Sequence, residues 1–130
     1  MREAADCASF QKKVNELLIR HRSALDVLSK FQESNARVNR AVAKTVTNCG
    51  CLSVNASRQY GGETLEEMKQ HSSTHIQGDL CESCRQILEM ELGNNLFYLV
   101  SLCTLLDLDL STVLDKEYLK ISALGRFNLS

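Results

Sequence analysis

Apolar residues recur at helical spacing in several stretches of the chain, separated by clusters of turn-forming residues. Phe10, Val14, Leu17 and Leu18 predict a first helix from residue 4 to about residue 20. After His21-Arg22, Ser23 is a good N-cap, and Asp26 in the next turn suits the positive end of a helix dipole. A second helix is expected from Ala24 to about Thr47, with Ala24, Leu28, Phe31, Val38, Val42 and Val46 as its apolar stripe. Asn35 falls on that stripe with Asn39 beside it, and a polar group on a buried face needs a partner or a job. Residues 48–78 change character: Asn48, Gly50, Asn55, Gly61-Gly62, Ser72, Ser73 and Gly78 read as a long loop, with a short helix over Thr64 to Gln70. A loop of this length inside a compact domain is expected to be functional, disordered or cross-linked.

A third helix is predicted from Asp79 to about Leu106, opened by Asp79-Leu-Cys-Glu82 in capping-box form. At about 100° per residue, Leu88, Leu92, Leu96, Leu99, Cys103 and Leu106 make one broad apolar face. Gln86, Glu89, Gly93 and Thr104 make a mildly polar one, and Cys84, Glu91, Asn94, Asn95, Tyr98 and Ser101 a third. Such a polar stripe on a central helix is costly unless its groups are paired or bind something, or it faces solvent. Glu91 and Asn94, three apart, can point oxygens at one hard cation such as Mg²⁺. Asp107-Leu-Asp109 breaks this helix, and a fourth runs from Leu110 or Ser111 to about Leu124, ending at Gly125. Four helices with one long loop predict a single all-α domain resembling a four-helix bundle.

Composition narrows the functions. With 130 residues the chain suits one domain, and a net charge of -1 gives no global bias toward nucleic acid or anionic membrane. Three Tyr, four Phe and no Trp leave little material for base stacking. No apolar run approaches the ~20 residues of a membrane span, and the N-terminus does not read as a secretory signal. A cytoplasmic protein is the expectation, with neither membrane nor nucleic acid as partner. The absence of proline permits long helices.

There are six cysteines. Cys49-Gly-Cys51 and Cys81-Glu-Ser-Cys84 form two close pairs that can meet in a tetrahedral four-thiolate site, the usual structural zinc arrangement. Gly50 permits the tight turn that Cys-x-Cys needs. Cys81 and Cys84 are expected in the first turn of the third helix, where free amides and the dipole lower a thiol pKa. Structural zinc, a redox pair or reversible disulfide, and unlinked buried thiols are the three readings, with an iron–sulfur cluster a variant of the first. His71 and His75 are candidate replacements for a thiol, while Cys7 and Cys103 look structural.

The segment Glu91-Leu-Gly-Asn-Asn-Leu-Phe-Tyr-Leu-Val is similar to the second metal-binding helix of the MazG-like nucleotide pyrophosphohydrolases, which reads Glu-Leu-Gly-Asp before an apolar run. The resemblance spans about residues 86–127 and takes in the Leu108-Asp-Leu turn, Val113-Leu114, Lys116 and Lys120 on the last helix, and Arg126. It implies an all-α, usually dimeric or tetrameric enzyme that converts nucleoside triphosphates to monophosphates and pyrophosphate. Its Mg²⁺ is held by a Glu-x-x-Glu pair and a Glu-x-x-Asp pair, the ions neutralising polyphosphate and orienting water. Carried over, Glu91, Asn94 and Glu33 are the catalytic candidates, with Glu91 and Asn94 the Mg²⁺ ligands. Tyr98, Lys116 and Lys120, together with Arg37 and Arg40, are the candidates for binding a nucleotide or another phosphate-bearing small molecule, and a homodimer is implied. This chain departs from the pattern: Asn94 stands where the family has Asp, and Glu33 is the only acidic residue on the second helix near Asn35, Arg37 and Asn39. Glu63-Thr-Leu-Glu66 fits Glu-x-x-Glu but lies in the loop. Arg37, Arg40 and Lys44 recur at helical spacing and can bind phosphate directly, or form a solvated edge ion-paired to Glu89 and its neighbours. Three functions follow: a divergent pyrophosphohydrolase, a catalytically inactive metal-stapled module that binds a nucleotide or partner protein, and a thiol redox sensor.

Overall fold

The computed structural model describes residues 4–18, 23–59 and 61–124. The expectations for His21-Arg22, for the helix stop at Gly125 and for Arg126 lie outside these residues. Within them the chain is mostly helical: α1 (Cys7–Leu17), α2 (Ala24–Lys44), a π-helical turn (Thr45–Cys49), β1 (Leu52–Val54), α3 (Leu65–His71), β2 (Ile76–Gly78), α4 (Glu82–Leu105) and α5 (Leu110–Leu124).

Local chemistry sets the helix boundaries. Asp6 and Ser9 close a reciprocal capping box at the start of α1. Ser23 occupies the N-cap position of α2, as expected, but its side chain makes no capping bond. α2 ends in a wider turn because Gly50, with φ 78°, donates its amide to the Thr45 carbonyl five residues back at 2.8 Å. The long loop is more ordered than its composition suggests. β1 and β2 pair antiparallel in the register Leu52–Gly78, Ser53–Gln77 and Val54–Ile76, so they clamp its two ends. Gly78 is required there: φ is 93°, and a Cβ would lie 2.4 Å from the Cys51 carbonyl oxygen. α3 forms where a short helix was expected, capped by Thr64.

The hairpin delays the start of α4. Gln77 and Gly78 are committed to β2, so the helix begins at Glu82 and its cap is Cys81, not Asp79. At the other end Asp107 takes a left-handed φ of 58°. Gln11 fastens that turn, donating to the Leu108 carbonyl at 2.8 Å and accepting from the Leu110 amide at 2.9 Å. Asp109 caps α5 through Thr112.

α2 and α4 are the principal pair. Their contacts run in opposite senses along the chain: Cys49 meets Cys81, Arg37 meets Glu91 and Ser34 meets Asn95, so the helices are antiparallel. α1 lies against α4, and α5 against α1. Among the described residues the buried apolar side chains are few: Val14, Leu18, Val27, Val100 and Cys103.

Two expectations about faces hold only in part. On α2, Val27 and Ser34 are buried and Phe31 and Val38 half-buried, while Leu28 and Val42 of the predicted stripe are exposed. On α4 the buried side chains come from both predicted faces, with Cys103 from the apolar one and Glu91 and Ser101 from the polar one, while Asn94 of the polar stripe is exposed. Leu92, Leu96, Leu99 and Leu106 of the predicted core face are exposed. The reason lies in α2, whose residues that reach α4 include the buried Ser34 and the more exposed Arg37. Helices pair on complementary groups, and α4's carboxylate and amides complement these.

Candidate functional site

Three local features bring the four cysteines together. The π-turn ends at Cys49, the hairpin register sets Cys51 beside the end of β2, and the first turn of α4 carries Cys81 and Cys84. Their sulfurs all lie within 4.8 Å of one another. Cys49 Sγ and Cys81 Sγ are 3.7 Å apart. A tetrahedral ion with metal–sulfur distances of ~2.3 Å requires sulfur–sulfur edges of about 3.8 Å. The spacing therefore fits four thiolates around one ion, whereas a disulfide has ~2.05 Å between sulfurs. This cluster can hold a metal ion such as zinc.

Electrostatics at the cluster are uneven. Cys81 is held down to about 7, first by the Cys84 backbone amide, which donates to its sulfur at 3.4 Å, and then by the neighbouring thiols. Cys84 is pushed up to about 12, chiefly by the Cys81 sulfur and by burial. At Cys49 the Cys51 amide lowers the pKa, but the Cys81 and Cys51 thiols and burial outweigh it, and the net shift is upward. Without metal, Cys81 is thus favoured as a thiolate over Cys49 and Cys84. A divalent cation supplies the charge that stabilises the rest.

Among the described residues no group of three or more metal-ligating side chains other than this one converges. Neither His71 nor His75 replaces a thiol. His75 adopts a left-handed φ of 62°, and its Nε2 is buried without a hydrogen-bond partner. Cys103 is buried and Cys7 partly so, each outside the cluster.

The polar seam between α2 and α4 collects most of the other candidates. Arg37 Nε donates to Glu91 Oε2 at 2.9 Å and its Nη2 to Oε1 at 3.5 Å, a two-pronged ion pair on a buried carboxylate. That pairing holds the guanidinium in its charged form. One turn further along, the Asn95 amide donates to Ser34 Oγ at 3.0 Å and to Asn35 Oδ1. Ser34, Asn35 and Arg37 of α2 thus find partners in Glu91 and Asn95 of α4. Gln11 was the harder residue to read: nothing in α1's own pattern marks it as the anchor of a turn some hundred residues away.

Two open clefts flank the Arg37–Glu91 pair. One, about 320 Å³, is lined by Arg37, Arg40, Ala41, Lys44, Ile87 and Glu91. The other, about 280 Å³, is lined by Lys30, Glu33, Ser34, Arg37, Asn94 and Tyr98. Glu33, Asn94 and Tyr98 thus share a cleft, as do Arg37 and Arg40. Lys116 and Lys120 line neither cleft, and Lys120 pairs with Glu117 on its own helix at 3.1 Å.

A magnesium ion does not fit these donors as they stand. Both oxygens of Glu91 are taken by Arg37, Glu33 pairs with Lys30 at 3.6 Å, and Asn94 brings no charge. Among the described residues, no single helix is long and apolar enough to cross a membrane. No protein-family description, no curated protein and no solved structure matches the chain.

Proposed function

We propose that this protein is a zinc-stapled helical module with a degraded MazG-like ground plan, which binds a phosphate-bearing small molecule without hydrolysing it. The observation that carries the reading is the four-sulfur cluster, whose spacing suits zinc. The staple joins the end of α2 to the start of α4 and shuts the intervening loop, the role of a structural ion.

The loss of hydrolysis follows from charge. Metal-assisted phosphoryl chemistry uses carboxylates to hold divalent ions against a polyphosphate. Here the buried carboxylate is neutralised by an arginine inside the molecule. Arg40 and Lys44 border the same cleft and favour an anion, with the remaining N–H groups of Arg37 beside them. A bound phosphate would be held by cations directly.

The test is turnover and binding measured together. Purified protein is incubated with Mg²⁺ or Mn²⁺ and a panel of nucleoside triphosphates, and pyrophosphate is followed. Expected is no release, with weak, salt-sensitive nucleotide binding that is lost in Arg40→Ala/Lys44→Ala. Pyrophosphate release that vanishes in Glu91→Gln would contradict the reading and restore a divergent pyrophosphohydrolase.

A further inference from the structure

The cysteine cluster is unevenly exposed. Cys49 lies at the surface, while Cys51, Cys81 and Cys84 are partly buried. A small reagent arriving from solution therefore meets the Cys49 sulfur first. Cys81 Sγ is 3.7 Å from it. A disulfide needs ~2.05 Å, so the two sulfurs have about 1.7 Å to close.

The chain on both sides of that gap is irregular. Cys49 ends the π-helical turn, and Gly50 behind it takes a left-handed φ of 78° with open space around it. Cys81 is the N-cap of α4, in extended conformation, and so stands outside the regular helix. The other two sulfurs are held more firmly. Cys84 sits inside the first turn of α4, and the Cys51 carbonyl is packed against Gly78 in the hairpin.

We propose that Cys49 is a site of reversible oxidation by hydrogen peroxide, which joins it to Cys81 and expels the zinc. The proposal rests on the reading of the cluster as a zinc staple. Zinc has no redox chemistry of its own, so the electrons come from sulfur. The Cys49 thiolate attacks one peroxide oxygen; the O–O bond breaks, hydroxide leaves and Cys49 becomes a sulfenic acid. The Cys81 thiolate then attacks the Cys49 sulfur, forming the S–S bond and expelling a second hydroxide. Two electrons pass from the two sulfurs to peroxide, and the two hydroxides take protons from solvent to become water. Two thiolates are left for the ion, which departs as the aqueous dication while Cys51 and Cys84 take up protons.

The product differs from simple loss of metal. The new bond ties the same two points that Cys49 and Cys81 held through the ion, the end of the π-turn and the start of α4. The α2–α4 pair stays joined. Cys51, the hairpin's own ligand, is released. Oxidation thus exchanges a four-point staple for a two-point one and frees the hairpin of β1 and β2.

The test uses the full-length, zinc-loaded protein, freed of reductant and treated with hydrogen peroxide beside a colorimetric zinc indicator. About one zinc per chain should be released. Peptide mapping should find Cys49 joined to Cys81, with Cys7 and Cys103 still free thiols. Dithiothreitol with added zinc should restore the loaded form. Amide exchange in the oxidised protein should quicken at residues 52–54 and 76–78. Cys49→Ser should slow peroxide-driven zinc release at least about tenfold. If that variant does not hold zinc, the disulfide map of the unaltered protein decides alone. Zinc and four reduced thiols retained against excess peroxide would overturn the proposal and leave the staple standing. A disulfide that leaves out Cys49, or a zinc-loaded Cys49→Ser protein that releases its ion as fast, would overturn it too. Protein that holds no zinc before peroxide is added defeats the staple reading and this proposal together.

Discussion

At Cys81 a thiol caps a helix, and one backbone hydrogen bond separates it chemically from its neighbours. The Cys84 amide donates to its sulfur and holds its pKa near about 7, while Cys84 itself is pushed up to about 12. A depressed pKa means thiolate at and above neutral pH, and thiolate is the form that alkylates. In metal-stripped protein at pH 7.5, iodoacetamide should therefore modify Cys81 before Cys84, and lowering the pH below 7 should slow the labelling of Cys81 while leaving that order unchanged. Peptide mass spectrometry gives the order, and earlier labelling of Cys84 would contradict it. Because metal binding must displace the protons on the other thiols, zinc affinity should fall as pH falls, measurable by chelator competition at pH 8 and pH 6. The quartet was legible in the sequence because Cys-x-Cys and Cys-x-x-Cys declare themselves by spacing. The bond between Arg37 and Glu91 was not. Glu91's stripe could be recognised as needing a partner, but which residue meets it depends on how α2 and α4 slide past each other, and no local pattern encodes that offset.

Among the elements, the hairpin was the one missed. β1 and β2 are three residues each, too short for alternation to show above the turn residues around them. Its cost was a misplaced start for α4, since residues assigned to a capping box at Asp79 follow directly on a strand. Both long helices and the short α3 were legible, because periodicity over many residues survives local irregularity. Their orientation was not, because an apolar stripe says only that a face is to be covered, not by what. The hairpin makes a specific demand on Gly78. Gly78→Ala forces a Cβ against the Cys51 carbonyl at a backbone angle that alanine avoids. That variant should lose much of its bound metal while far-UV circular dichroism keeps most of its helix signal. Full metal retention would show that the hairpin does not position Cys51. In the small core, Val27→Ala empties part of a fully buried site. It should cost about 2 kcal/mol, a fall in Tm of several degrees for a domain of this size.

For the molecule as a whole, the all-α architecture followed from pattern and length, and the α2–α4 pair is its frame. A seam of matched polar groups joins that pair, and the cysteine cluster closes one end of it. Apolar surface then faces outward from α4 and α5. Removing the metal should loosen the cluster end selectively. With a chelator, amide exchange should quicken through residues 49–84 and Tm should fall, while α1 and the distal half of α4 keep their protection. Uniform loosening would mean that the ion supports the whole fold and not one end. The most direct test of the account is metal analysis of protein purified without added metal, paired with a thiol count on the same sample. The account predicts about one zinc per chain, with Cys49, Cys51, Cys81 and Cys84 protected from alkylation until a chelator is added. Metal-free protein with Cys49 and Cys81 joined as a disulfide would contradict it, and would make this cluster a redox pair and not a staple.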